Sequence, residues 1–488
     1  MDKLIDIITR VNKEVNTIVW GAPMLILILG IGLYFTLATR FFQLFKIKEI
    51  CKKTIVAIFK NKSVTKSKDK KAISQFQAIS TALAATIGTG SIAGVATAIT
   101  IGGAGAVFWM WVSSILGMMT VYAENVLGIF FRKKNKKKEW QGGAMYYIEH
   151  GLNSKWLAVI FAIFCIFASF GMGNMAQANS ISAAMQTTFS IDPKMTGIVV
   201  STIVGLVIIG GIKRIGKVTE RLIPIVSIAY ILGCLAIMLA NFQQLPWVFE
   251  SIFKQAFGIG PVAGGISGAM LKNAITIGVK RGVFSNEAGL GSSVMVNAAA
   301  DVKEPVVQGM WGIFEVFIDT MVVCTLSAVV VLSSGVIGTF TNTGEEADGS
   351  SLIIIAFQKV FGGFAGQFVS ISILIFALAT IIGWSYFGEK AIEYLLGAKS
   401  TFLYKALYIA FVFIGANLEL KLVWDISDTL NGLMAIPNIT ALILLSGTVI
   451  KITNNYLRRN KKKNSSKEKP MLSAFEDIQA EQEKLPDD

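Results

Sequence analysis

Thr86-Ile-Gly-Thr-Gly-Ser-Ile-Ala-Gly94 interrupts an apolar run, from about Phe76 to Ile101, that is otherwise long enough to cross a bilayer as one helix. Backbone N–H and C=O groups freed from a helix are costly in hydrocarbon, so such a break persists only where it lines a cavity or meets a ligand. Two readings follow. Gly88, Gly90 and Gly94 either let two membrane helices pack closely, as small-xxx-small faces do, or they open a binding site.

The surrounding composition fixes the class. Of 488 residues 53% are hydrophobic and 16% charged, with a mean hydropathy of +0.61, against about 45–50% apolar and about 25% charged in soluble domains. This is an all-α polytopic membrane protein. Apolar runs near the required length fall at 18–38, 77–100, 105–131, 156–186, 195–212, 220–240, 260–282, 307–335, 366–388, 401–417 and 426–450, giving about eleven transmembrane helices. The N-terminal region to Asn16 mixes Asp2, Lys3, Asp6, Arg10, Lys13 and Glu14, and no small-residue cleavage pattern follows Trp20 to Leu37, so the first span reads as a real one.

Lys and Arg accumulate in every second connection. Residues 40–71, 132–138 and 213–221 are basic, as is the tail at 458–463, whereas 191–194 and 241–258 carry little net charge and 341–350 holds Glu345, Glu346 and Asp348. By the positive-inside rule this favours an N-terminus outside and a C-terminus in the cytoplasm, in a cell membrane of bacterial inner-membrane type. The net charge of +14 is spread over these loops without base-stacking motifs, which argues for lipid headgroups and against nucleic acid as its partner. No obligatory protein partner is evident. The expected layout is a segment at 1–17, an extra helix at 18–38, a basic loop at 39–75, repeats at 76–240 and 241–450, and a basic tail at 451–488, disordered beyond about Asn464.

Cys51, Cys165, Cys234 and Cys324 show no metal or disulfide spacing and read as packing residues. His150 is the single histidine and reads as a solvated loop residue. With no second histidine and no His-Glu motif, an intramembrane enzyme is disfavoured. A channel would need a continuous polar lining, and the spans offer isolated amides instead.

Polar residues within spans mark a pathway. On the fourth span Ser169, Gly173, Gln177 and Ser180 share a face, with Asn174 one turn below Gln177; two amides suit an amine or a carboxylate, or glue helices together. The seventh span repeats the interruption of the second, opening with Gly264-Gly-Ile-Ser-Gly-Ala269 and followed by Arg281-Gly-Val-Phe-Ser-Asn-Glu-Ala-Gly-Leu-Gly-Ser292. Two breaks five spans apart have opposite orientations, as an inverted repeat of five requires. Thr380 and Ser385 on the ninth span offer hydroxyl ligands for an alkali cation beside unwound carbonyls. Glu315 and Asp319, four apart on the eighth span, are candidate titrating groups for proton coupling. These two, and Asp425 and Asp428 at the start of the eleventh, could serve ion coupling, cap a helix or pair with Lys or Arg, with capping favoured for Asp425 and Asp428.

Six strings resemble the alanine/glycine:cation symporters, also called the sodium:alanine symporter family: residues 86–98, Gly105-Ala-Val-Phe-Trp-Met-Trp111, Gln141-Gly-Gly-Ala-Met-Tyr-Tyr147, Ser285-Asn-Glu-Ala-Gly-Leu-Gly-Ser292, Trp311-Gly-Ile-Phe-Glu-Val-Phe-Ile-Asp319 and Gly383-Trp-Ser-Tyr386. The resemblance runs from about Trp20 to Ile450. It implies a leucine-transporter-like 5+5 inverted repeat preceded by one extra helix, and sodium-driven uptake of alanine or glycine. It further implies a substrate pocket at Gly88, Thr89, Gly90 and Ser91 with Asn174, Gln177 and Ser267, and a sodium site at Ala84, Ile87 and Thr380 with Ser385 near it. Ser285, Asn286, Glu287, Gly289 and Gly291 would form a conformational gate. The chain departs from the family's usual pattern at Ser91 (asparagine), Ala104 and Ala144 (proline), Asn297 (histidine) and Ala379 (a hydroxyl residue).

Overall fold

The computed structural model describes residues 2–69, 71–135, 138–258, 264–340, 346–418, 420–461 and 468–484. An amphipathic helix α1 (Asp2–Val19) bends by 43° into α2 (Ala22–Ala38), with Trp20 and Gly21 at the bend and Pro23 in the first turn of α2. Short helical turns over 42–65 lead to α3 (Gln75–Thr86), which a capping box between Ser74 and Gln77 opens. Then follow α4 (Thr89–Gly102), α5 (Gly105–Phe130), α6 (Ala144–Leu152) and α7 (Lys155–Phe170). Through a π turn at Gly171–Met175, α7 continues into α8 (Ala176–Phe189). The first half closes with α9 (Pro193–Ile208), capped by Asp192, and α10 (Gly211–Ala240).

The second half begins with α11 (Leu245–Ala256) and α12 (Gly264–Asn286), followed by the single turn α13 (Val294–Asn297). Next come α14 (Pro305–Val316), a π segment at Phe317–Cys324, α15 (Thr325–Ser334) and α16 (Gly349–Phe361). The chain finishes with α17 (Gly363–Leu396), α18 (Thr401–Ala416), α19 (Leu420–Leu444), α20 (Ser446–Lys461) and α21 (Glu476–Glu483). Helices occupy all eleven stretches expected from the sequence. Among the described residues seven are long and apolar enough to cross a membrane, or nine if each bent pair is one span. The other two stretches are covered by α9, only 16 residues long, and by α12, which carries Lys272, Lys280 and Arg281.

The first helix of each five-span set is broken, and these two breaks face each other in the core. Around them α5 packs against both α12 and α14, and α17 packs against α3 and α8. Gly173 in the π turn is what permits the last contact, since a Cβ there would overlap the Trp384 side chain.

Three expectations are corrected. The string 264–269 is no interruption, because α12 runs helically from Gly264 to Asn286; the break follows at 287–293. Disorder is not what the structure gives over residues 468–484: Leu472 is buried, Ile478 packs with Ala72 and Trp140, and Phe475 lies against His150. His150 is not a free loop residue. It lies on α6, half-buried, with its ring 5.5 Å from Phe475, and burial together with the neighbouring Lys133 holds its pKa below the usual imidazole value.

Candidate functional site

The first break spans two residues. Helix α3 ends at Thr86, Ile87 (φ −76°, ψ 79°) and Gly88 (φ −121°, ψ −150°) leave the helical region, and α4 begins at Thr89. Residues 84–92 are all buried. The exposed polar groups of the helix ends are met by side chains from two other helices. Gln177 on α8 accepts from the Thr89 N–H at 3.1 Å and from the Thr89 hydroxyl at 2.9 Å, while its amide nitrogen donates to the Met172 carbonyl at 3.1 Å. Thr380 on α17 donates to the Ala84 carbonyl at 2.7 Å. A Cβ on Gly88 would overlap Thr380 Oγ1 and stand 3.0 Å from Gln177 Oε1, and one on Gly90 would stand 3.0 Å from Phe284. At Gly94 it would meet only ordinary contacts, 3.8 Å or more away. Gly88 is therefore bare because the Thr380 and Gln177 side chains crowd it, whereas Gly94 has room.

The second break carries the highly specific string. Glu287 adopts φ 58°, a left-handed conformation that a residue with a Cβ seldom takes, and Gly289 and Gly291 follow at φ 89° and 70°. The strain is held from three directions. The Trp384 indole donates to Glu287 at 2.7 Å, and the Ser292 hydroxyl donates to its other oxygen. Glu124 on α5 accepts from the Gly291 N–H at 3.0 Å and from Asn438 on α19 at 2.6 Å, while Asn438 also donates to the Gly289 carbonyl at 2.9 Å. Asn286 accepts from the Ala288 N–H at 3.0 Å and donates to Thr320 at 3.1 Å.

Asp319 joins the two breaks. Its carboxylate accepts from Ser91 after the first break, from Ser285 before the second at 2.8 and 3.0 Å, and from Thr320 at 2.8 Å. The Ser327 hydroxyl donates to the Ser91 carbonyl at 2.9 Å. Glu315, one turn earlier, is different: it is fully buried, Ser293 and Asn297 face it, and neither carboxylate oxygen has a hydrogen-bond partner among the described residues.

Both ends of the site are closed. At one end Phe284 stacks on Trp424 with ring centroids 5.0 Å apart, the Trp424 ring stands where a Cβ on Gly94 would meet it at 3.9 Å, and the Arg281 guanidinium lies 5.0 Å over Trp424. Asp428 pairs with Lys280 at 2.7 Å and Arg281 at 3.3 Å, and its carbonyl accepts from the Trp20 indole at 2.8 Å. Asp428 thus makes ion pairs within α19, where a helix cap was expected. At the other end the Ile73 N–H donates to the Ala299 carbonyl at 3.1 Å and the Asp301 N–H to the Ile73 carbonyl at 2.8 Å.

Of the residues expected from the sequence, Ala84, Gly88, Thr89, Gly90, Gln177 and Thr380 converge, with Ile87 in the same break. Ser91, Ser285 and Asn286 gather around Asp319 and Thr320. Two residues lie apart from the break by their contacts. Asn174 donates to the Tyr408 carbonyl at 2.7 Å, and Ser385 donates to Ile382 of its own helix at 2.6 Å. The Ser267 side chain lies outside the described residues. Glu124, Asn438, Phe284 and Trp424 escaped the sequence reading; only a buried acid and amides on otherwise apolar spans hinted at the first two.

The fold and the sequence are similar to those of known proteins. A crystal structure of MhsT in complex with L-phenylalanine superimposes with a TM-score of 0.56 at 11% identity, over 79% of this chain and 99% of that one. The sodium/alanine symporter AgcS of Methanococcus maripaludis is 44% identical over 466 residues, 94% of this chain and all of that protein. The putative sodium/proton-dependent alanine carrier protein YrbD of Bacillus subtilis is 37% identical over 92% of each chain, and the probable sodium/glutamine symporter GlnT of the same organism 36% over 91% and 90%. A profile of the Sodium:alanine symporter family matches residues 5–470. The chain is a multi-pass membrane transporter with a leucine-transporter-like fold, not an enzyme, and it belongs to the sodium:alanine symporter family.

Proposed function

We propose that the protein takes up small neutral amino acids, alanine or glycine, together with sodium, by alternating access. The observation that carries this reading is the first break itself: a bare Gly88 wedged between the Gln177 amide and the Thr380 hydroxyl, with Thr380 on the Ala84 carbonyl. The N–H groups opening α4 suit a carboxylate, as helix N-termini suit anions. The carbonyls ending α3, at Ala84 and Ile87, suit a hard cation, and Thr380 supplies a hydroxyl oxygen beside them. Gly88 and Gly90 are too closely walled for side chains of their own, which favours a substrate bearing a hydrogen or a methyl group.

In this reading the Phe284–Trp424 lid faces outside, and the Ile73–Ala299 pairing is the cytoplasmic gate of a protein in the cell membrane, N-terminus out and C-terminus in. Closure of both ends is an occluded arrangement. Sodium and substrate stabilise each other's binding and jointly permit the switch. Amino acid and lipid are its partners.

Proteoliposomes loaded with labelled alanine outside test this. Accumulation against a gradient, driven by inward sodium, is expected; equilibration without accumulation contradicts symport. A second reading, proton coupling, draws on the buried Asp319 at the junction of the two breaks and on the unpartnered Glu315 beside it. Uptake driven by a pH gradient in the absence of sodium would select it.

A further inference from the structure

The transport reading makes no use of the carboxyl-terminal segment, yet that segment is firmly seated. Leu472 and Gln482 are fully buried, and Ile478 is 5% exposed. The Ala474 N–H donates to the Phe130 carbonyl at the end of α5 at 2.9 Å. Gln479 ties the segment into a compact loop, accepting from the Leu472 and Ser473 N–H groups at 2.9 Å and donating to the Pro470 carbonyl at 2.7 Å. At its base Asn455 of α20 donates to the Lys469 carbonyl and accepts from the Met471 N–H, at 3.0 and 3.2 Å. Phe475 packs edge-on against His150 and carries the Lys133 ammonium at 4.3 Å, and Glu481 pairs with Lys134 at 2.5 Å.

What lies beneath the segment gives it a role. Ile478 packs on Trp140 and Ala72. Ala72 adjoins Ile73, whose main chain pairs with Ala299 and Asp301 and so links the chain entering α3 to the chain leaving α13. Trp140 in turn covers the Arg132 guanidinium at 3.9 Å, and Arg132 donates to the carbonyls of Ala298, Ala300 and Val302 at 3.1, 2.7 and 2.6 Å. Gln482, with its amide turned to satisfy both ends, accepts from Arg132 at 2.7 Å. Both strands of the closure, 72–73 and 298–302, thus have the segment at their back. The closure is Ile73's two main-chain hydrogen bonds together with the Asp301 carboxylate, which accepts from the Ser67 hydroxyl and the Lys68 and Asp69 N–H groups at 2.9, 2.7 and 3.2 Å. The segment adds buried apolar contact behind these polar bonds.

We propose that residues 468–484 are a latch on the cytoplasmic gate, holding the Ile73–Ala299–Asp301 pairing shut while docked and leaving it free to open when undocked. The proposal rests on the reading above only in naming that pairing the cytoplasmic gate. The acidic helix α21 seats against the basic residues Lys133 and Lys134, so docking weakens as salt rises.

The test compares the full chain with Ile478→Asp and with a chain ending at residue 467, by hydrogen exchange of the purified protein in lipid nanodiscs. In Ile478→Asp, undocking is registered by the Ala474 amide; the shortened chain lacks the segment altogether. The latch predicts that the Ile73 and Asp301 amides then exchange about tenfold faster or more. It also predicts that half-saturating external sodium rises several-fold, because fewer molecules rest with the inner gate shut. Unchanged exchange at Ile73 and Asp301 in the shortened chain, or in Ile478→Asp once Ala474 exchanges faster, would overturn it. The exchange readout does not depend on which ion or substrate is carried, so failure of the sodium reading leaves this test intact. If Ile478→Asp does not fold, the shortened chain, which retains α1 to α20, answers the same question.

Discussion

Ser91 and Ser285, one from each broken helix, meet hydroxyl to hydroxyl at 2.8 Å. Both bind the same buried carboxylate, Asp319, so the two halves of the molecule share one polar joint at the depth of the breaks. A change in the relative position of the broken helices has to strain or rebuild that joint. The Ser91 hydroxyl reaches Asp319 while Ser285 occupies the neighbouring side.

Removing the Ser91 hydroxyl therefore takes a donor from a buried carboxylate. Hydrogen bonds to charged groups contribute about 1.5–3 kcal/mol. For Ser91→Ala the expected outcome is a loss of uptake of about tenfold or more at unchanged protein level, measured as the initial rate of alanine uptake. Wild-type rates would detach Ser91 from the mechanism.

Thr380→Ala removes the hydroxyl beside the Ala84 carbonyl. Half-saturating sodium should rise about tenfold, equivalent to about 1.4 kcal/mol, while alanine affinity at saturating sodium changes little. Thr380→Ser should restore most of the sodium affinity. A sodium activation curve that does not move in Thr380→Ala removes this hydroxyl from the ion site.

The glycines of the first break make a matched pair. At Gly88 a Cβ overlaps Thr380 Oγ1, whereas at Gly94 it finds contacts of 3.8 Å and beyond. Gly88→Ala should reduce uptake about a hundredfold or more and Gly94→Ala less than about threefold, in line with the cost of overpacking a tight site. Equal sensitivity would favour helix packing as the reason for all three glycines.

Asp428 compensates Lys280 and Arg281 beneath the Phe284–Trp424 lid. Asp428→Asn leaves two buried cations without their counter-charge, which opens that end. A cysteine placed at Gly94, under Trp424, should then react several-fold faster with an impermeant thiol reagent added from outside. No acceleration would mean the ion pairs do not close the lid.

Much of this was legible in the sequence. The break at 86–94 needed only glycines within an apolar run, and its counterpart followed from the repeat of that pattern five spans later. The second break was placed partly at 264–269, because glycine alone does not unwind a helix. What unwinds the chain is Glu287 in a left-handed conformation, pinned by Trp384 and Ser292, and those partners are distant or invisible in local pattern. Gln177 and Thr380 were found because polar groups at membrane depth are rare. Asn174 was found for the same reason, yet it bonds the Tyr408 carbonyl, since periodicity cannot say which neighbouring helix a face will meet. The seating of the tail was missed because its apolar anchors, Met471, Leu472, Phe475 and Ile478, are few within an otherwise polar composition.

The central claim is that sodium and a small amino acid bind cooperatively at the first break, and equilibrium binding to the purified protein tests it most directly. Alanine titrated calorimetrically in sodium and in choline should bind about 5–150-fold more tightly with sodium, with the same factor recovered when sodium is titrated with and without alanine. At a fixed, subsaturating sodium concentration Thr380→Ala should shrink the sodium-dependent gain in alanine affinity, and raising sodium should restore it. Identical alanine affinity in sodium and choline would contradict the account.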